Sequence, residues 1–145
     1  MRIGSDRRYD FDVSPDVFWA AAARTDMYQQ WWPWLRRFDA GSLAEGEVWT
    51  CCVRPPLPYA VSFTVELHEV CQAVRVQARV TGDIQGHARL DIDPVTSGCR
   101  VRLRSHLAPS SRRLRTASLL ARPVVGFGHN WVLDTGARQF RHQAF

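Results

Sequence analysis

Apolar and polar positions along this chain change period three times. From Arg7 to Val13 they alternate, with Tyr9, Phe11 and Val13 on one face and Arg8, Asp10 and Asp12 on the other, which predicts a first strand. Ser14-Pro15-Asp16 ends it, because serine is a good N-cap, proline suits the first helical position and aspartate favours the positive end of a helix dipole. Val17–Ala23 is therefore expected as a short helix. Thr25 or Asp26 restarts a second one, from Met27 to Trp32, which Pro33 stops. From Leu35 the period becomes two. The predicted strands are Arg36–Ala40, Glu47–Val53, Ala60–Val70, Val74–Thr81, Gly86–Asp93 and Cys99–Leu107. Breakers separate them: Gly41-Ser42 through Gly46, Pro55-Pro56-Leu57-Pro58, Gly82-Asp83, and Pro94 to Gly98.

The alternation is cleanest in the last four strands. Val61, Phe63, Val65 and Leu67 oppose Ser62, Thr64, Glu66 and His68, and Val101 and Leu103 oppose Arg100, Arg102 and Arg104. Such strands belong to an antiparallel meander with one face packed and one in water. After Pro109-Ser110-Ser111, Arg112–Arg122 reads as a basic helix, and Pro123 kinks or restarts it. The segment from there to Phe145 has helical spacing and 23 residues, about 34 Å as a helix, enough to cross the sheet. Val125, His129, Val132, Gly136 and Phe140 form one stripe of it. Gly126, Gly128 and Gly136 would each cost about 1 kcal/mol against alanine inside a helix. Their expected use is close approach to the sheet or room for a ligand. Asn130, Asp134 and Arg138 fall on other faces and are expected in solvent.

A strand, two short helices, a meander and a long C-terminal helix follow one another. With Ser14-Pro15-Asp16-Val17-Phe18-Trp19, Tyr28, Trp31-Trp32-Pro33-Trp34, Gly46 before Val48-Trp49, Gly82-Asp83-Ile84-Gln85-Gly86, and His129-Asn130-Trp131-Val132 followed by Gly136, the chain resembles the START/polyketide-cyclase superfamily, which includes birch-pollen-allergen-like proteins. The resemblance covers nearly the whole chain. It implies an α+β helix-grip fold over residues 1–145: a curved antiparallel sheet of about six to seven strands wrapped around a long C-terminal helix, with two short helices after strand one. It also implies a cavity between sheet and helix. Superfamily members bind lipids, sterols, plant hormones or aromatic polyketides, and some catalyse aldol cyclisation or dehydration. There is no universal catalytic motif to carry across, and the fold alone does not settle the function.

Composition narrows this only slightly. A chain of 145 residues has the usual size of one domain and buries about 68–70% of its unfolded surface, so neither disulfide nor metal is needed as a staple. All 19 basic residues are arginine and the net charge is +5, which permits an anionic partner without requiring one. Arg75, Arg79, Arg89, Arg100, Arg102 and Arg104 share the polar sheet face, where Glu66, Asp91 and Asp93 would neutralise part of the charge. That face carries no exposed aromatics, so no nucleic-acid partner is expected. The basic start at Arg112-Arg113-Leu114-Arg115 allows peripheral contact with anionic lipid. No apolar run approaches the ~20 residues of a membrane span. Cys51, Cys52, Cys71 and Cys99 form no C-x-x-C pair and no signal-peptide pattern opens the chain, so reduced thiols in a cytoplasmic protein, monomeric or homodimeric, are expected.

The candidate ligand contacts are Trp31 and Trp34, three apart in the aromatic cluster with Trp32 facing elsewhere, then Trp49, Phe63 and Val132. Tyr59 joins them from a proline-stiffened loop able to act as a lid, and His129 from the apolar stripe of the last helix. His129 is also the candidate acid or base. His68 and Cys71 lack a second pair at metal-ligand spacing, so no metal is expected, and no cofactor motif occurs. The leading expectation is binding of a hydrophobic or aromatic small molecule, lipid-like or polyketide-like. The alternatives are a cyclase, aromatase or dehydratase working in the same cavity, and a non-catalytic interaction module.

Overall fold

Ser14 leaves the first strand with an extended backbone (φ −64°, ψ 159°), and its Oγ accepts a hydrogen bond from Val17 N at 3.3 Å. That bond starts helix α1, Pro15–Ala22, with Pro15 where no N–H is needed and Asp16 in the first turn. The computed structural model describes residues 3–55, 60–112 and 122–145, residues 3 and 122–129 by their backbone alone. A 3-10 turn at Thr25–Met27 leads into the single turn of α2, Tyr28–Trp31. The strands are β1 (Ile3–Phe11), β2 (Leu35–Asp39), β3 (Val48–Val53), β4 (Val61–Cys71), β5 (Arg75–Gly82), β6 (Ile84–Val95) and β7 (Gly98–Pro109), and the long helix is α3 (Arg122–Ala144).

The strands form one seven-stranded antiparallel sheet in the order β1-β7-β6-β5-β4-β3-β2. Strands β2 to β7 run as the expected meander, and β1 pairs with the last strand. Strand ends differ from the sequence expectation where pairing overrides the local breakers. The β1–β7 ladder starts at Ile3 opposite Leu107, and the β6–β7 ladder runs through Pro94 to Val95 opposite Gly98. The turn there shrinks to Thr96-Ser97. Gly98 makes it possible with φ 151°, and a side chain at that position would run into the Phe11 carbonyl.

Directly paired residues share a face of the sheet. Phe11, Leu67, Ala78, Ile92 and Val101 are buried on the inner face. The outer face is laced with ion pairs: Arg100 to Asp10 at 2.7 Å, Arg102 to Asp6 at 2.6 Å, and Arg89 and Arg104 to one carboxylate, Asp91, at 2.8 and 2.9 Å. Of the acids expected to neutralise this face, Asp91 takes Arg89 and Arg104, while Arg100 and Arg102 are taken by Asp10 and Asp6 of β1. Alternation tells which face a residue occupies but not which strand lies beside it.

Helix α3 packs over the inner face. Its Phe140 ring centroid lies 5.4 Å from both Phe18 and Trp31 and 5.8 Å from Phe11. Arg141 fixes the helix end by donating to the Asp10 carbonyl at 2.6 Å while its guanidinium lies 5.0 Å over the Phe11 ring. The architecture is the helix-grip fold, with the short helices after strand one.

Candidate functional site

The grip is not filled. A hollow of about 250 Å³ lies between the inner face of the sheet, α1–α2 and α3. Its floor is set by β1, β6 and β7 through Tyr9, Leu90, Val101 and Leu103, and its roof by α3 through Val132, Leu133 and Gly136. A second hollow of about 190 Å³ adjoins it beneath Trp19, Trp49 and Val65. Both are bordered by Phe18, Ala22, Tyr28, Leu90 and Leu103. Period-two alternation points the strand residues inward, and helical spacing brings Val132, Gly136 and Phe140 to one side of α3.

Trp32 and Trp34 close one flank. Helix α2 stops at Trp31, Trp32 adopts φ −122°, ψ 89°, and Pro33-Trp34 form a turn closed by Leu35 N donating to the Trp32 carbonyl at 3.0 Å, which brings the Trp32 and Trp34 rings together. They stack with centroids 5.7 Å apart. The Trp32 indole donates to the Gly136 carbonyl at 2.9 Å, and that of Trp34 donates to Gln139 Oε1 at 2.8 Å. Gly136 is what permits this approach, since a Cβ there would lie 3.2 Å from Trp34 Cζ2. The expected approach of a glycine to the sheet is thus an approach to the indoles. Gly126 and Gly128 are described by backbone alone.

The opposite flank is tied by Tyr9, whose hydroxyl donates to Asp134 Oδ1 at 2.8 Å. Asp134, expected to be free in solvent, is therefore exposed but engaged. Partial burial, and next the carboxylate beside it, push the Tyr9 phenol upward from its ordinary value. Burial does the same to Tyr28, whose hydroxyl donates to the Ala22 carbonyl. Each N–H or O–H donor on the described side chains of the larger hollow is thus bonded to the protein itself.

Of the residues expected to meet a ligand, Trp34 and Val132 line the larger hollow and Trp49 the smaller. Phe63 is half-buried and packs against the core beneath them. Trp31 is 6% exposed and belongs to the aromatic core instead. Tyr59 with Pro56-Leu57-Pro58 before it, the His129 side chain and the basic segment 113–121 lie outside the described residues. Sequence reasoning passed over Trp32, Tyr9, Tyr28, Leu90 and Leu103. The signal for Tyr9, Leu90 and Leu103 was present, since each sits on the apolar side of an alternating strand.

Among the described residues no group of three or more His, Cys, Asp or Glu could hold a metal ion, and no helix is long and apolar enough to cross a membrane. All four cysteines are free.

Solved structures share this architecture along their whole length. The protein TTHA0849 from Thermus thermophilus superposes with a TM-score of 0.79 at 11% identity, over 99% of this chain and 97% of that one. The ZhuI aromatase/cyclase from Streptomyces sp. R1128 gives 0.76 at 10% identity, over 99% and 94%. Ara h 8.0201 gives 0.69 at 8% identity, over 99% and 98%. No protein-family model matches the chain, and no curated protein matches it in sequence. At these identities the likeness is one of fold, and the fold is the helix-grip architecture to which the sequence resemblance pointed.

Proposed function

We propose that this chain binds a hydrophobic or aromatic small molecule between its sheet and its C-terminal helix. The observation that carries the reading is the lining of the larger hollow. It is apolar and aromatic, and the donors of Tyr9, Tyr28, Trp32 and Trp34 are already bonded within the protein. Such a surface stabilises an apolar body by about 25 cal/mol per Å² removed from water and gives it little polar competition. Each hollow alone is smaller than the roughly 300–1,000 Å³ of typical ligand pockets, and a molecule spanning both fits the range better. With reduced thiols, a cytoplasmic carrier or receptor of a lipid-like or polyketide-like compound is the fuller form of the proposal.

The test is titration with the neutral fluorophore N-phenylnaphthylamine. Saturable emission with one probe per chain, abolished by Val132→Trp in a protein that still melts cooperatively, is the expected result. Absence of saturable binding by the parent protein would overturn the proposal. Cyclisation or dehydration in the same space is the second reading, favoured by the likeness to an aromatase/cyclase. On that reading Tyr9 and Asp134 are the described titratable pair bordering the site, and a poly-β-ketone processed equally well by Tyr9→Phe would remove them from the chemistry.

A further inference from the structure

Just past the rim of the larger hollow, the inner face of β1 stops being apolar. Strand β1 turns Ser5, Arg7 and Tyr9 to the inner face, opposite Ser105, Leu103 and Val101 of β7. The next inner residue, Phe11, lies in the aromatic core. Polarity therefore rises along β1 from Phe11 through Tyr9 to Arg7. Leu103, the direct partner of Arg7, borders both hollows.

An arginine on the inner face of a sheet needs its charge matched or kept in water. Arg7 has a loose match. Asp134 Oδ1 stands 3.7 Å from Arg7 Nε, close enough for an ion pair but too far for a hydrogen bond. The same oxygen already accepts from Tyr9. Arg7 Nε is shielded from solvent and has no hydrogen-bond partner, and Ser5 Oγ on the same strand face shares both properties. The two other such atoms among the described residues, Nε of Arg75 and of Arg104, belong to outer-face arginines whose ion pairs measure 3.2 and 2.9 Å. Unpartnered buried donors are rare in folded proteins, and each is a place where an acceptor atom would be stabilised. Arg7 lines neither hollow itself but adjoins the larger one through its partner Leu103 and through Tyr9 two residues on, and the described donors of that hollow are engaged.

The geometry points to Arg7 as the anchor of an acidic head group: the site takes an amphipathic monocarboxylate whose apolar body fills the hollow and whose carboxylate pairs with Arg7. This rests on the binding reading given above and adds the class of ligand to it. The planar guanidinium fork matches a carboxylate, which can take two of its N–H groups at once. Asp134, with a side chain 55% exposed, keeps its bond to Tyr9 as the ligand replaces it beside Arg7. Ser5 supplies a second donor on the same face.

The experiment compares naphthoate with methylnaphthalene, equal in shape but not in charge, by calorimetric titration of the full chain. The parent protein is expected to favour naphthoate by at least about tenfold, the size of one charge-assisted hydrogen bond. Arg7→Met should remove that preference and leave methylnaphthalene binding unchanged, Arg7→Lys should keep part of it, and Asp134→Asn should tighten naphthoate alone. A merely structural pair would instead weaken both probes, or neither, in every variant. If the parent binds both probes equally, or if Arg7→Met and Arg7→Lys keep the full preference, the anchor is wrong while the hollow stands. If neither probe binds the parent protein, the binding reading itself fails.

Discussion

The indole nitrogen of Trp32 donates to the main-chain oxygen of Gly136 at 2.9 Å, and the same glycine passes close enough to Trp34 that a Cβ would sit 3.2 Å from its ring. One residue without a side chain thus sets how near α3 comes to the indole pair. Gly136→Ala sets about 1 kcal/mol of gained helix propensity against that crowding and should change stability little. Gly136→Leu cannot be accommodated and should destabilise by about 1–3 kcal/mol while filling the hollow. Urea melts, together with probe titration, distinguish the two. A Leu variant as stable as the parent would show that the helix is free to move away.

Ser14 Oγ satisfies one of the N–H groups left open at the start of α1. Ser14→Ala should lower the unfolding free energy by about 1 kcal/mol, and Ser14→Asp should restore it. Equal urea midpoints for the parent and both variants would contradict this.

The outer-face ion pairs make stability depend on acid. Hydrogen bonds from Arg102, Arg100 and Arg89 hold the carboxyls of Asp6, Asp10 and Asp91 below their ordinary value of 3.8. A carboxyl lowered in the folded state contributes fully above the unfolded value, and the contribution disappears as pH falls through the folded one. The melting temperature should therefore hold from neutrality down to about pH 5 and drop below about pH 4. Asp91 is the least exposed of the three and bonds two arginines. Asp91→Asn should cost about 1 kcal/mol at neutral pH and flatten the acid limb. An unchanged acid limb in a variant lacking all three carboxylates would refute the assignment.

The cysteines should differ in reactivity by position. Burial, and next the neighbouring Cys52, push the Cys51 thiol up to about 12, and burial raises that of Cys99, which is fully enclosed. Only thiolates alkylate readily. Iodoacetamide at mildly alkaline pH, read by mass spectrometry, should therefore label the half-buried Cys52 and Cys71 before Cys51 and Cys99. Labelling of Cys51 at the rate of Cys52 would count against its burial.

The alternation in the chain made the inner face legible, because a buried strand face needs apolar residues at every second position. Leu67, Ala78, Ile92 and Val101 were all readable that way. The cap at Ser14 was readable because its chemistry is local. Two things were not. The neighbour of β1 depends on the whole topology, so the Asp6–Arg102 and Asp10–Arg100 pairs could not be read from spacing. The aromatic cluster misled because α2 ends at Trp31. Helical spacing paired Trp31 with Trp34, whereas the turn after the helix brings Trp32 onto Trp34 and leaves Trp31 in the core.

The sheet order has a consequence in time. Ile3 pairs with Leu107, so β1 leaves the ribosome well before β7, its neighbour in the sheet, and waits for it a matter of seconds at about 5–20 residues per second. Through that interval its Asp6, Arg8 and Asp10 place alternating charge along an unpaired edge, the pattern that discourages strands of neighbouring nascent chains from joining it. The arginines of β7 that later neutralise Asp6 and Asp10 also convert this temporary protection into the outer face of the finished sheet.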